Sequence, residues 1–234
     1  KIRNKSGEIR PWLTMLVDSA SRMVLGTIFA YDHPDRFTVA AVIRQALIQN
    51  EKNPWGGIPR AIWVDNGRDF VSQHVQTLCR EINTDLLILP PHQPQQKGIV
   101  ERLFGTLNTR LWSTLPGYVG SNVVERNPNV RAVLTISELV AHFEQFLQQY
   151  HNETHSETNQ TPIDFWNERC FTEPIDIRRL DVLLMSSETR RVLKTGIKYA
   201  GRQYWHPNLA VLVGDNVTLR IEPSYSAPDT VEVF

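Results

Sequence analysis

Long apolar runs are missing from this chain. None approaches the roughly 18 residues that a membrane span needs, and no charged-then-apolar leader is visible. Neither a membrane protein nor a secreted precursor is expected, and the cytoplasm is the expected compartment. Cysteine is scarce as well. Cys79 and Cys170 are the two present, and both read as reduced thiols in amphipathic stretches, not as a disulfide or a zinc site. Net charge is also absent, with 25 Lys and Arg against 25 Asp and Glu. A polyanion partner then requires segregated charge. Such segregation exists between Glu188 and Arg202, where Arg190, Arg191, Lys194, Lys198 and Arg202 face the single acid Glu188.

What is there is an ordinary globular composition, 41% hydrophobic and 21% charged over 234 residues, enough for a core domain and a small second one. The chain opens on Lys1 and reads as a fragment. Two apolar strands are expected at 11–18 and 23–31, joined by a polar turn. "FTVAAVIRQALIQ" carries helical spacing through Val39, Ile43, Ala46 and Leu47. "AIWVD" and "LLILPP" read as buried parallel strands flanking the helix "FVSQHVQTLCREI", which makes a βαβ unit. "GIVERLFGTLNTRLW" is a helix whose apolar arc holds Ile99, Val100, Leu103, Phe104, Leu107 and Leu111, with Glu101 just beyond its edge. "SELVAHFEQFLQQY" is a further amphipathic helix. From Arg190 on, "RRVLKTGIKYAGRQYW", "LAVLV", "NVTLRIE" and "DTVEVF" are short β-like runs divided by Gly, Pro, Asn and Asp, the pattern of a small all-β barrel. The fold class is therefore α/β. The expected organisation is a core over 1–155, a linker over 156–187 and the β-barrel over 188–234.

Three acids draw attention. Asp65 closes a buried strand, and the carboxyl ends of strands in open α/β sheets are where ligands bind. Glu101 follows after 35 intervening residues, across the Pro/Gln/Gly segment "PPHQPQQKGIV". Acids delivered from a strand end and a helix edge suit a Mg²⁺ pair, because hard cations take oxygen ligands and two metals about 3.5–4 Å apart can serve an in-line phosphoryl displacement. His92, Lys97 and Arg102 flank Glu101 and, with Arg190, Arg191, Lys194 and Lys198, are candidates to touch nucleic-acid phosphates, the alternative being solvated surface charge. The competing account of each acid is plain: a turn former before Asn-Gly, and a first-turn Glu favouring the helix dipole. Asp18, after the first strand, is expected to hydrogen-bond its own turn.

"IWVDNGRDF" and "PPHQPQQKGIVERLFGTLN" closely resemble the second and third acidic motifs of the retroviral-integrase superfamily of DDE transposases. "RPWLTMLVDSASRMVLG", "STLPGYVGSNVVER" and "GIKYAGRQYWHPNLAVLVGDNVTLRIEP" resemble the Mu transposase branch, nearest its TnsB and TniA members. The resemblance covers nearly the whole chain. It implies an RNase H-like mixed sheet with flanking helices, then a Mu transposase C-terminal type barrel. It also implies Mg²⁺-dependent cleavage at transposon ends, with Mn²⁺ as a substitute metal, and transfer of the 3′-hydroxyl into target DNA. Asp65 and Glu101 would be catalytic and metal-binding. The implied partners are transposon-end and target DNA, further copies in a multimer and a TnsC-like ATPase, in a bacterial or phage-encoded system. In that family the first catalytic Asp lies on the first strand, whereas Asp18 follows the strand resembling the second. The first strand and its acid are thus expected upstream of Lys1. The alternative is a non-catalytic DNA-binding and assembly fragment of a transposase. An RNase H-like nuclease fits the fold but neither the barrel nor the Gln/Pro segment.

Overall fold

The computed structural model describes the chain except for residues 5–6, 51–53, 68, 90–93, 121–126, 128, 177–179, 182–184, 200, 222–230 and 234. A short hairpin, β1 (Ile2–Asn4) and β2 (Gly7–Ile9), precedes a longer one, β3 (Trp12–Val17) and β4 (Val24–Ala30), both antiparallel. Helix α1 (Arg36–Leu47) begins at a reciprocal cap: Asp35 accepts from the Phe37 and Thr38 amides, and the Thr38 hydroxyl accepts from the Asp35 amide. Two otherwise orphaned helix-end donors are satisfied in this way. Strand β5 (Ala61–Val64), helix α2 (Gln73–Glu81) and strand β6 (Asp85–Ile88) form the parallel βαβ unit. Helices α3 (Pro94–Arg110), α4 (Ile136–Asn152) and α5 (Pro162–Arg169) follow. Among the described residues no helix is long and apolar enough to cross a membrane.

Alternation along β3 divides the interior in two, since successive side chains on a strand point to opposite faces. Leu16 borders a cluster of α1, β5 and α2 residues, including Val39, Ile43, Ile62, Val75 and Leu78. Leu13, Met15 and Val17 border a second cluster, where Leu103, Leu107 and Leu111 of α3 meet Phe143, Phe146 and Tyr150 of α4. Gly26 lets β4 lie against α1, because a Cβ there would stand 2.4 Å from the Val42 carbonyl oxygen. His151 at the end of α4 is buried, and its Nε2 accepts from the Val24 amide at 3.1 Å. Burial pushes its pKa down to about 4, so it is a neutral crosslink between α4 and β4. Both cysteines are unbridged, and burial pushes the Cys79 thiol up to about 11.

Described residues of the segment 156–187 pack on this core. Trp166 of α5 and Leu180 are buried, the Thr172 hydroxyl donates to the Gly56 carbonyl, and Arg44 of α1 pairs with Asp181 at 2.7 Å. Among the described residues, β3 hydrogen-bonds only to β4 and β5 only to β6.

The expected barrel is corrected. The described C-terminal strands form an open three-stranded sheet in the order β11 (Glu232–Val233), β10 (Asn216–Ile221), β7 (Ser186–Arg191), beside a separate hairpin of β8 (Ile197–Tyr199) and β9 (Arg202–Tyr204). The reason lies in "LAVLV". Pro207 and a His206 ring nitrogen accepting from the Asn208 amide start a 3₁₀ helix, Pro207–Leu212, where a strand was expected. Among the described residues the strands are too few and too short to supply the tilt and stagger that closure needs. Val192, Ile197, Leu209, Val217 and Leu219 form the small interior.

Candidate functional site

Asp65 stands directly after β5, exposed, at the carboxyl end of a parallel strand. Its Oδ1 accepts from the Gly67 amide at 3.0 Å, and the Phe70 and Val71 amides in turn donate to the Gly67 carbonyl. Gly67 lets the turn close tightly, since a Cβ there would sit 2.9 Å from Asp65 Oδ1 and 3.0 Å from the Phe70 ring and push the carboxylate aside. The turn thus fixes the Asp65 carboxylate while leaving it open to solvent. Glu101 lies on the exposed side of α3, in an open groove of about 820 Å³ lined by Gly98, Arg102, Gly105, Thr106 and Thr109. Among the described residues its carboxylate has no hydrogen-bond partner.

The expected Mg²⁺ pair on Asp65 and Glu101, with Mn²⁺ as its substitute, is corrected. Among the described residues no group of three or more His, Cys, Asp or Glu side chains could hold a metal ion. The donors do not fit, because a hard dication draws on several converging oxygens. Asp18 does not make up the number. Its Oδ2 accepts from the Ser21 amide and hydroxyl, both at 2.7 Å, and from the Ala20 amide at 3.2 Å. That carboxylate closes the turn between β3 and β4.

The expected phosphate contacts fall into three groups. His92 lies outside the described residues, and Lys97 is in the first turn of α3. Arg102 is exposed beside Glu101, with its Nε donating to the Gly98 carbonyl at 3.2 Å and a guanidinium nitrogen to Glu157. Arg190 pairs with Glu188 and lies 5.7 Å from the Tyr199 ring centre, and Arg191 donates to the Gly214 carbonyl at 3.0 Å. Lys194 and Lys198 are exposed, and neither has an ion-pair partner among the described residues. Sequence reasoning missed Arg22, Arg110, Glu153 and Glu157, which gather with Arg102 around a cavity of about 320 Å³. The spacing of Arg102, Thr106 and Arg110 at i, i+4 and i+8 was a usable signal for one helix face. Nothing local could announce Arg22 and Glu157, 135 residues apart.

Residues 4–117 match the family model for the TnsB C-terminal domain, and residues 181–234 match the one for the Mu transposase C-terminal region. The chain is a member of the DDE transposase/retroviral-integrase superfamily, in its Mu/TnsB-like branch. Within that superfamily it is 30% identical over 229 residues to the transposase for transposon Tn552 of Staphylococcus aureus, covering 95% of this chain and 47% of that protein. It is 28% identical over 152 residues to the Tn7 transposition protein TnsB of Escherichia coli, covering 59% of this chain and 21% of that protein. The chain therefore spans about half the length of the first relative and about a fifth of the second. The catalytic core domain of BIV integrase overlays with a TM-score of 0.46 at 19% identity, covering 68% of this chain and 86% of that one. Membership of the superfamily, and not this overlay, carries the RNase H-like reading of the α/β core.

Proposed function

We propose that this chain is a DNA-binding and assembly portion of a DDE transposase that does not by itself carry a complete catalytic centre. The observation behind this is that no metal-holding cluster of acids forms among the described residues: Asp18 turns its Oδ2 to three hydrogen bonds inside its own turn, while Asp65 and Glu101 are the exposed acids of the motifs. DNA binding is supported by exposed basic groups on two surfaces, Arg102 beside the α3 groove and Lys194 with Lys198 on the C-terminal β unit. Such groups hold a duplex by its phosphates without reading its sequence. Assembly is supported by the edges of β3 and β5, which have no further strand beside them among the described residues. Unpaired edges accept another strand. In the whole transposase, acting on transposon-end and target DNA as a multimer, Asp65 and Glu101 are the acids this portion contributes to end cleavage and strand transfer.

The test has two halves. The isolated chain should shift duplex DNA in a salt-dependent manner and join no 3′-hydroxyl end to a target; joining by the isolated chain overturns the fragment reading. In the full-length transposase, Asp65→Asn and Glu101→Gln should each abolish end cleavage and strand joining while end binding persists. Normal joining by either variant removes that residue from the chemistry.

A further inference from the structure

The cavity of about 320 Å³ lies between the β3–β4 turn, α3 and the loop that follows α4. Three arginines meet two acids there. Glu157 accepts from Arg22 at 2.6 Å through one oxygen and from Arg102 through the other. Glu153 takes both terminal nitrogens of Arg110, each at 2.7 Å. Arg102 and Arg110 are two turns apart on one face of α3, roughly 12 Å along the helix axis. Arg102 lines both this cavity and the open groove that holds Glu101.

A two-pronged arginine–carboxylate contact has the geometry with which arginine also takes a phosphate. The side chains of Arg102 and Arg110 are 65% and 43% exposed, and exposed ion pairs are weakly held and screened by salt. Arg22, at 15%, is held more firmly. The loop bearing Glu157 is braced from within: the His155 amide donates to the Gln160 carbonyl at 3.0 Å, and the Asn159 amide to the His155 carbonyl at 2.9 Å. It presents its carboxylate from a fixed frame. Arg22 holds Glu157 to the β3–β4 turn, from a left-handed backbone position with φ at 70°.

We propose that Glu153 and Glu157 form an acidic strap that occupies Arg110 and Arg102 in the free protein, and that phosphates of a DNA backbone displace the two carboxylates from those arginines. The inference rests on the DNA-binding reading above. The strap imitates the ligand: two carboxylates stand against one face of α3 where backbone phosphates would otherwise stand. Both remain charged at neutral pH, Glu157 held below the usual carboxylate range chiefly by Arg22 and Glu153 chiefly by Arg110. The strap therefore lowers affinity for DNA of any sequence and raises the demand on specific contacts elsewhere in the transposase.

The experiment measures anisotropy of a labelled duplex of about 30 base pairs across roughly 50–200 mM salt. It compares the wild-type chain, the Glu153→Gln/Glu157→Gln pair, the same pair with Arg102→Ala/Arg110→Ala added, and a Glu144→Gln/Glu173→Gln control with the same charge change outside the cavity. The strap variant should bind several-fold tighter, with a salt slope steeper by about 1 for each arginine released. Removing the arginines should cancel the gain. Glu153→Gln alone, which leaves the Arg22–Glu157 contact intact, should give part of the gain with an unchanged melting temperature. Equal or weaker binding by the strap variant, a gain matched by the control, or a gain that survives arginine removal overturns the strap. If the wild type binds and the strap variant does not differ, the strap alone falls. If no variant binds DNA, the DNA-binding reading falls with it.

Discussion

Around α1 the interior is assembled from residues far apart in the chain, with Val39 and Ile43 meeting Ile62, Val75 and finally Leu180. The C-terminal β unit fills its interior from Val192, Ile197, Leu209, Val217 and Leu219, all drawn from one short stretch. The first arrangement spends more chain before it closes, and a second cluster covers the opposite face of β3. The second closes locally and has little to lose, because small units bury a small share of their surface. The lesson concerns vulnerability. In the core a single truncation is carried by neighbours from several elements, whereas in the β unit it removes a large part of the cluster that the described residues form.

Substitutions can break this contrast or sharpen it. Phe143→Ala should have the largest effect. The ring is 1% exposed, stacked on Trp112 at 5.9 Å and edge-on to Phe29 at 5.1 Å, and its loss should cost about 4 kcal/mol in urea unfolding of the core. Leu219→Ala, at a position 0% exposed in β10, should cost about 3 kcal/mol and unfold the β unit before the core melts. Near-ultraviolet signals from the core and hydrogen exchange in β10 would report the two separately. A single shared transition would show that the two regions are not independent.

The smallest effect is one of pH. Burial lowers the pKa of His151 to about 4, below its value of about 6.5 in an unfolded chain. The unfolded chain then takes up the proton first, so stability is full above pH 6.5, declines as pH falls toward 4 and levels below that. Between pH 7 and pH 5 the loss should be roughly 2 kcal/mol, read as a shift of the urea midpoint. It should be confined to the core, since His151 crosslinks α4 and β4 there. A midpoint insensitive to pH over that interval would mean that His151 takes up its proton as readily in the folded state as in the unfolded chain.

How much of this was legible beforehand depended on how local the cause was. The buried faces of α1, α2 and α4 follow from spacing alone, and Asp18 serving its own turn follows from the small polar residues after it. Val100 and Phe104 share the apolar arc of α3 yet are each 39% exposed, because α4 covers only the Leu103, Leu107 and Leu111 side. A wheel shows which residues share a face but not how much of it a neighbour reaches. The missing strand at "LAVLV" turned on a proline and a histidine cap just before it. At the site, the exposed positions of Asp65 and Glu101 were legible, but the Arg22–Glu157 pair was not, since only the folded chain brings those residues together.

The interlock between residues 56–58 and 172–173 bears on how the protein is made. The Thr172 hydroxyl donates to the Gly56 carbonyl across 116 residues, the Ile58 amide donates to the Glu173 carbonyl, and a Cβ at Gly57 would run into Thr172. Leu180 arrives by the same route to complete the cluster around α1. At about 5–20 residues per second, translation leaves that cluster open for roughly 6–25 s between the addition of Gly56 and that of Leu180. Throughout that interval the nascent chain exposes apolar surface that only its own later segment can cover, which makes this stretch of synthesis the moment when a chaperone has most to do.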